Sequence, residues 1–146
     1  MIWVKRLLAF VLAVIVTSLV GAGIHSQFVI ANMIGLGHAV PFSERIAWTG
    51  HDMAGMFPTY APIIAFAFLL ALPIAWVISR RAMNLRTLGY TLAGAAAVIC
   101  ALLVMKQALD VSGVAGARTA LGILAQGLAG AIGGWLFARV SVERSQ

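Results

Sequence analysis

Residues 25–52 read HSQFVIANMIGLGHAVPFSERIAWTGHD. This stretch holds all three histidines, His25, His38 and His51, and two of the four acidic residues, Glu44 and Asp52. Gln27, Asn32 and Arg45 share it, in a chain that is otherwise almost continuously apolar. From Leu7 to Ser43 there is no Asp, Glu, Lys or Arg. A single straight helix of that length would measure roughly 55 Å, against a bilayer hydrocarbon core of about 30 Å. The run therefore exceeds one simple span. We expect a first transmembrane helix over residues 7–27, with the chain beyond it leaving the bilayer, tilting strongly or turning along the surface.

Composition supports a membrane setting. The chain is 62% hydrophobic and 10% charged, where a soluble domain carries roughly a quarter charged residues. Its charges sit at the ends of apolar runs. The net charge of +6 forms no basic stripe with interleaved aromatics, so no nucleic-acid partner is expected. Lys5-Arg6 followed by an apolar run and small residues 21–23 is also the outline of a signal peptide. The apolar character continues past that point without a good cleavage site, so a retained helix is expected.

Within 41–45, Ser43 is positioned to cap a helix start, with Glu44 in the first turn, where the helix dipole favours an anion. On a helix, Ile46, Met53, Met56 and Phe57 fall near one face and Glu44, Trp48, His51 and Asp52 roughly opposite. That pattern predicts a short amphipathic helix lying in the interface. Further spans are expected at residues 60–79, 87–105 and 119–138, with Pro73 bending the second and Trp76 and Tyr60 placed in interfacial belts. The fold class expected is thus all-α: one domain, residues 1–146, an integral membrane four-helix bundle. A short interfacial helix joins its first two spans, within an outward-facing segment over 28–59.

Seven basic residues, Lys5, Arg6, Arg80, Arg81, Arg86, Arg139 and Arg144, fall on one side of these spans, and Arg45, Lys106 and Arg118 on the other. By the positive-inside rule the first group is cytoplasmic. Both termini are then expected inside a bacterial-type inner membrane, and the histidine-bearing segment outside.

Small residues recur every fourth position at Gly89, Ala93, Ala97 and Ala101, and again at Gly122, Gln126, Gly130 and Gly134. Such rows allow close helix approach, which matters where lipid gives little hydrophobic drive. Contact within one protomer is expected; a homo-oligomer interface is the alternative. Gln126 lies mid-span, where an unpaired amide is costly, so it should face another helix. Ser18, His25 and Asn32 are seven apart and form one stripe if the first helix persists. Cys100, the lone cysteine, is expected to pack as a small hydrophobe.

No motif names a reaction. Haem between helices needs histidines on facing helices, and all three precede the second span. His51, Met53 and Met56 with Met33 and His38 offer soft ligands suited to Cu(I), yet methionines fill apolar gaps equally well. Zinc spacing such as H-x-x-x-H is absent. Ser26 follows His25 without a nucleophile elbow, and no phosphate loop is present. Cofactor and metal therefore stay unassigned. His25, Asn32 and Gln126 are the candidates for a ligand or ion path. His38, Glu44, Arg45, His51 and Asp52 form a candidate outward polar cluster.

The expected function is a small multi-pass membrane protein that binds rather than catalyses, as an accessory subunit presenting this segment. Its partners would be the bilayer and either further copies of itself or a larger membrane complex. The alternatives are an oligomeric transporter or ion- and proton-handling protein and, below that, a metal- or haem-binding subunit of a membrane oxidoreductase.

Overall fold

A computed structural model describes residues 2–80, 85–109 and 119–141. Four helices follow one another: α1 (Ile2–Gly35), α2 (Phe42–Ser79), α3 (Arg86–Leu109) and α4 (Ala120–Ser141). All four are long and apolar enough to cross a membrane, and the described residues contain no strand. They close into a ring in which α1 packs on α2 and α4, and α3 on the same two neighbours. This is an all-α, multi-pass membrane bundle. Arg81, Arg118 and Arg144, which enter the charge count, lie outside the described residues.

The interfacial helix expected between the first two spans is absent. Residues 42–59 are instead the first half of α2, a single helix of 38 residues. The reason is an unbroken inward stripe. Thr49, Met53, Met56, Tyr60, Ile64, Phe68, Leu72, Ala75 and Ser79 follow at three- and four-residue steps, all at least partly buried. Gly50 and Gly55 fall off that stripe and interrupt nothing. Pro58, Pro62 and Pro73 sit inside the helix; each removes one backbone hydrogen bond, a loss that packed transmembrane helices tolerate. Ser43 does not cap. The helix starts two residues earlier, with Pro41 at the cap position and no side-chain cap bond, and Glu44 lies in the first turn as expected.

α1 likewise continues beyond residue 27 to Gly35, for 34 residues in all. Its end is written in the backbone. Gly37 adopts φ +88°, the His38 N–H donates to the Met33 carbonyl at 3.1 Å and the Gly37 N–H to Ile34 at 3.0 Å. That is a Schellman termination, with glycine at the left-handed position.

α3 and α4 meet through glycine. A methyl group added at Gly94 would collide with the Gly130 carbonyl and come within 3.0 Å of the Gly134 backbone. α4 supplies the expected row, with Gly122, Gln126, Gly130 and Gly134 all buried. α3 uses a row one position on from the expected one: Tyr90, Gly94, Val98 and Leu102 are buried. Gly89, Ala93, Ala97 and Ala101 instead line an apolar groove of about 1030 Å³ between α2 and α3. Cys100 lies on that groove and is exposed, not packed.

By contrast a Cβ at Gly50 or Gly55 would meet nothing within 4 Å. Gly50→Ala and Gly55→Ala should each stabilise the protein by about 0.5–1 kcal/mol, the helix-propensity difference. Equilibrium unfolding in mixed micelles measures this; a loss of stability would mean that these positions are packed.

Candidate functional site

One layer of the bundle is polar. Gln126 of α4 is fully buried; its Nε2 donates to the Gly21 carbonyl of α1 at 2.9 Å. The Tyr60 hydroxyl of α2 donates to its Oε1 at 3.0 Å. A carbonyl can only accept, so the amide nitrogen must face Gly21, and Tyr60 must then be the donor. The bond between Tyr60 and Gln126 crosses the ring from α2 to the opposite helix α4. Residue 21 has no side chain for a steric reason: a Cβ there would stand 2.7 Å from Tyr60 Cε1 and 2.8 Å from Gln126 Oε1. Tyr60 is therefore a buried tyrosine, 3% exposed, and not the interfacial residue expected from its place near a span end.

Residue counts from this layer give the reach of each helix on either side. Toward the basic end, α3 and α4 reach Arg86 and Arg139 about thirteen residues away, roughly 20 Å at 1.5 Å per residue. Arginines there lie over aromatic rings: Arg6 over Trp3, Arg80 over Trp76, Arg86 over Tyr90 and Arg139 over Trp135. Rings and cations gathered at one end of a bundle have the composition of an interfacial belt. A hydrocarbon core of about 30 Å with one face at those arginines would end about 10 Å beyond the layer on the other side, level with the start of α4 at Ala120 and with Gln27 on α1.

A second polar centre sits at that edge. Thr49 Oγ1 accepts from Gln27 Nε2 at 3.2 Å and from Ser26 Oγ at 3.3 Å, while donating to the Arg45 carbonyl at 2.7 Å. Ser26 is fully buried. Close by, Asp52 on α2 acts electrostatically on His25 of α1, which is half-buried. Gly23 leaves room for Met53, whose Cε would lie 3.0 Å from a Cβ at that position. These contacts tie α1 to α2 where both leave the bundle.

Past this knot α1 and α2 outrun their neighbours. From the Gln126 layer α4 extends six residues, α3 about ten, α1 fourteen and α2 eighteen. The excess over α4 is about 12 Å on α1 and about 18 Å on α2. The projecting hairpin carries Asn32, His38, Glu44 and His51, all exposed, and the partly buried Arg45. It also exposes large apolar side chains: Leu36 at 78%, Phe42 at 76% and Ile46 at 59%, with Trp48 beside them.

The expected path residues thus occupy three settings. Gln126 lies in the core, His25 at the knot and Asn32 on the exposed hairpin. Neither the groove between α2 and α3 nor a second cavity of about 580 Å³ at the basic end is lined by any of them. The stripe Ser18, His25, Asn32 runs from a buried serine to an exposed asparagine. Among the described residues no three His, Cys, Asp or Glu side chains are placed to hold a metal ion.

Sequence reasoning missed the buried place of Tyr60 and the contacts of Thr49. Thr49 and Tyr60 share one helical stripe, a signal hidden while two helices were assumed. Gly21 lies beside the Ser18, His25, Asn32 stripe on α1, but nothing in the sequence pairs it with Gln126. Compared with family models, with curated proteins and with solved structures, the chain matches none of them.

Proposed function

We propose that this is a non-enzymatic binding subunit of a bacterial-type inner membrane, and that the projecting α1–α2 hairpin is the part that binds. The observation carrying the reading is the exposure of Leu36, Phe42 and Ile46 on helices that stand clear of α4. Exposed apolar clusters rimmed by polar residues are suited to protein contacts. Around them, His38, Glu44, Arg45, His51 and Asp52 would supply the polar rim. The partner's complementary surface would be apolar at its centre, with charged groups of both signs at its edge.

The excess of Lys and Arg at the opposite end supports an outward-facing hairpin with both termini inside. The path reading has less support, since both described bonds of Gln126 go to Tyr60 and to the Gly21 backbone.

Photo-crosslinking from position 48 in native membranes tests the binding role. We expect one discrete adduct, lost in Phe42→Ser/Ile46→Ser, while unfolding stability stays within about 0.5 kcal/mol of wild type, as for surface changes. Adducts only to lipid, or an adduct untouched by the double substitution, would sink it.

A further inference from the structure

The basic end of the bundle contains a cavity of about 580 Å³ to which all four helices contribute. Its depth is apolar, walled by Phe10 of α1 and by Phe68 and Leu72 of α2. Its polar lining is cationic: Arg6 from α1 and Arg86 from α3 both border it. Each guanidinium stands over an aromatic ring of the same cavity, Arg6 at 5.6 Å from Trp3 and Arg86 at 5.9 Å from Tyr90. Rings placed in this way hold a guanidinium by its face and leave its N–H edge to donate. Ser141, from the last turn of α4, borders the cavity too. Its hydroxyl oxygen is buried and has no hydrogen-bond partner, a state that costs free energy unless a ligand supplies one. Among the described residues this end carries no acid: Glu44 and Asp52 lie at the other end of α2.

An apolar body under two arginines and an orphan hydroxyl, at the basic end of the bundle, matches one chemistry. We infer that this cavity holds an anionic phospholipid, its phosphate at Arg6 and Arg86 and one acyl chain along Phe10, Phe68 and Leu72. Basic recesses between transmembrane helices on the positive side are a known form of headgroup site. Arginine suits phosphate because its planar fork donates two parallel bonds. The Ser141 hydroxyl donates to a headgroup oxygen. The volume falls within the usual range for a ligand site, about 300–1,000 Å³.

The test is native mass spectrometry of the full chain released from micelles holding equal amounts of phosphatidylglycerol and phosphatidylcholine. One phosphatidylglycerol should stay bound, with at least a tenfold preference over phosphatidylcholine. Arg6→Gln/Arg86→Gln should abolish the preference. Arg80→Gln/Arg139→Gln removes the same charge from the same end at residues that do not line the cavity, and should keep it. Ser141→Phe blocks the mouth without changing charge, and should lower occupancy at least fivefold even if the arginine double variant fails to fold. Equal retention of the two lipids would overturn the site. So would equal loss in the two double-arginine variants, which would mean a diffuse belt attraction. Displacement of the lipid by millimolar inorganic phosphate would point to a free-anion site and overturn the lipid assignment.

Discussion

Gly94→Ala is expected to cost about 3 kcal/mol of bundle stability, at the top of the range for overpacking by one methyl group. The added Cβ would run into the Gly130 carbonyl and lie 3.0 Å from the Gly134 Cα and nitrogen. All three opposing atoms are backbone, so no rotamer change relieves the overlap. α3 and α4 must move apart, and the contacts along Tyr90, Val98 and Leu102 loosen with them. Gly130→Ala faces the Gly94 carbonyl in the same way and should cost a similar amount. The two together should cost much less than their sum, since helices already separated accept the second methyl group. Unfolding in mixed micelles measures all three. A cost below about 1 kcal/mol for Gly94→Ala would mean that the helices do not touch at this point.

Gln126→Leu should cost about 2 kcal/mol. It removes the bonds to Tyr60 and Gly21 and strands the buried Tyr60 hydroxyl, and a buried unsatisfied group costs about 1–3 kcal/mol. Tyr60→Phe should cost less, about 1 kcal/mol, because the amide keeps its bond to the Gly21 carbonyl. In the double variant both partners are apolar, so part of the loss returns. The cycle should give a coupling of about 0.6–1.7 kcal/mol, between the average and the maximum for hydrogen bonds between transmembrane helices. A coupling near zero would mean that Tyr60 and Gln126 do not pair. If Gln126 serves packing alone, proteoliposomes should show no ion or proton flux in wild type for the leucine variant to lose.

Much of the fold was legible because a membrane imposes few solutions. Charge-free runs bounded by Lys or Arg, such as that between Arg86 and Lys106, mark spans through hydropathy alone. The row Gly122, Gln126, Gly130, Gly134 marked the packed face of α4, since small side chains at four-residue spacing make one straight seam. The course of residues 28–59 was not legible. Gly50, Gly55 and Pro58 look like punctuation one residue at a time, while continuity of the Thr49–Ser79 stripe appears only when both halves are placed on one helix. On α3 the row that meets α4 lies one position on from the small-residue row, because alanines surround Gly94 and any of several registers offers small residues. Which one packs depends on where α4 presents Gly130 and Gly134, a tertiary fact.

The candidate site was legible in content but not in arrangement. The polar residues of 25–52 stood out by composition. Their division into an edge knot around Thr49 and an exposed hairpin follows from helix lengths, which pattern alone left open. Gln126 was marked as needing a partner by the cost of an unpaired amide in lipid; which residues supply it depends on Gly21 and Tyr60 meeting at one depth.

The central claim is that the α1–α2 hairpin stands outside the membrane, opposite the arginine belt. The most direct measurement is labelling of single cysteines, in a Cys100→Ala background, by a membrane-impermeant maleimide on intact cells. His38→Cys should react at once, and Leu85→Cys only after permeabilisation. Reaction at 85 but not 38 would reverse the topology, and a cysteine at 38 that stays unreactive after permeabilisation would place the hairpin inside the bilayer.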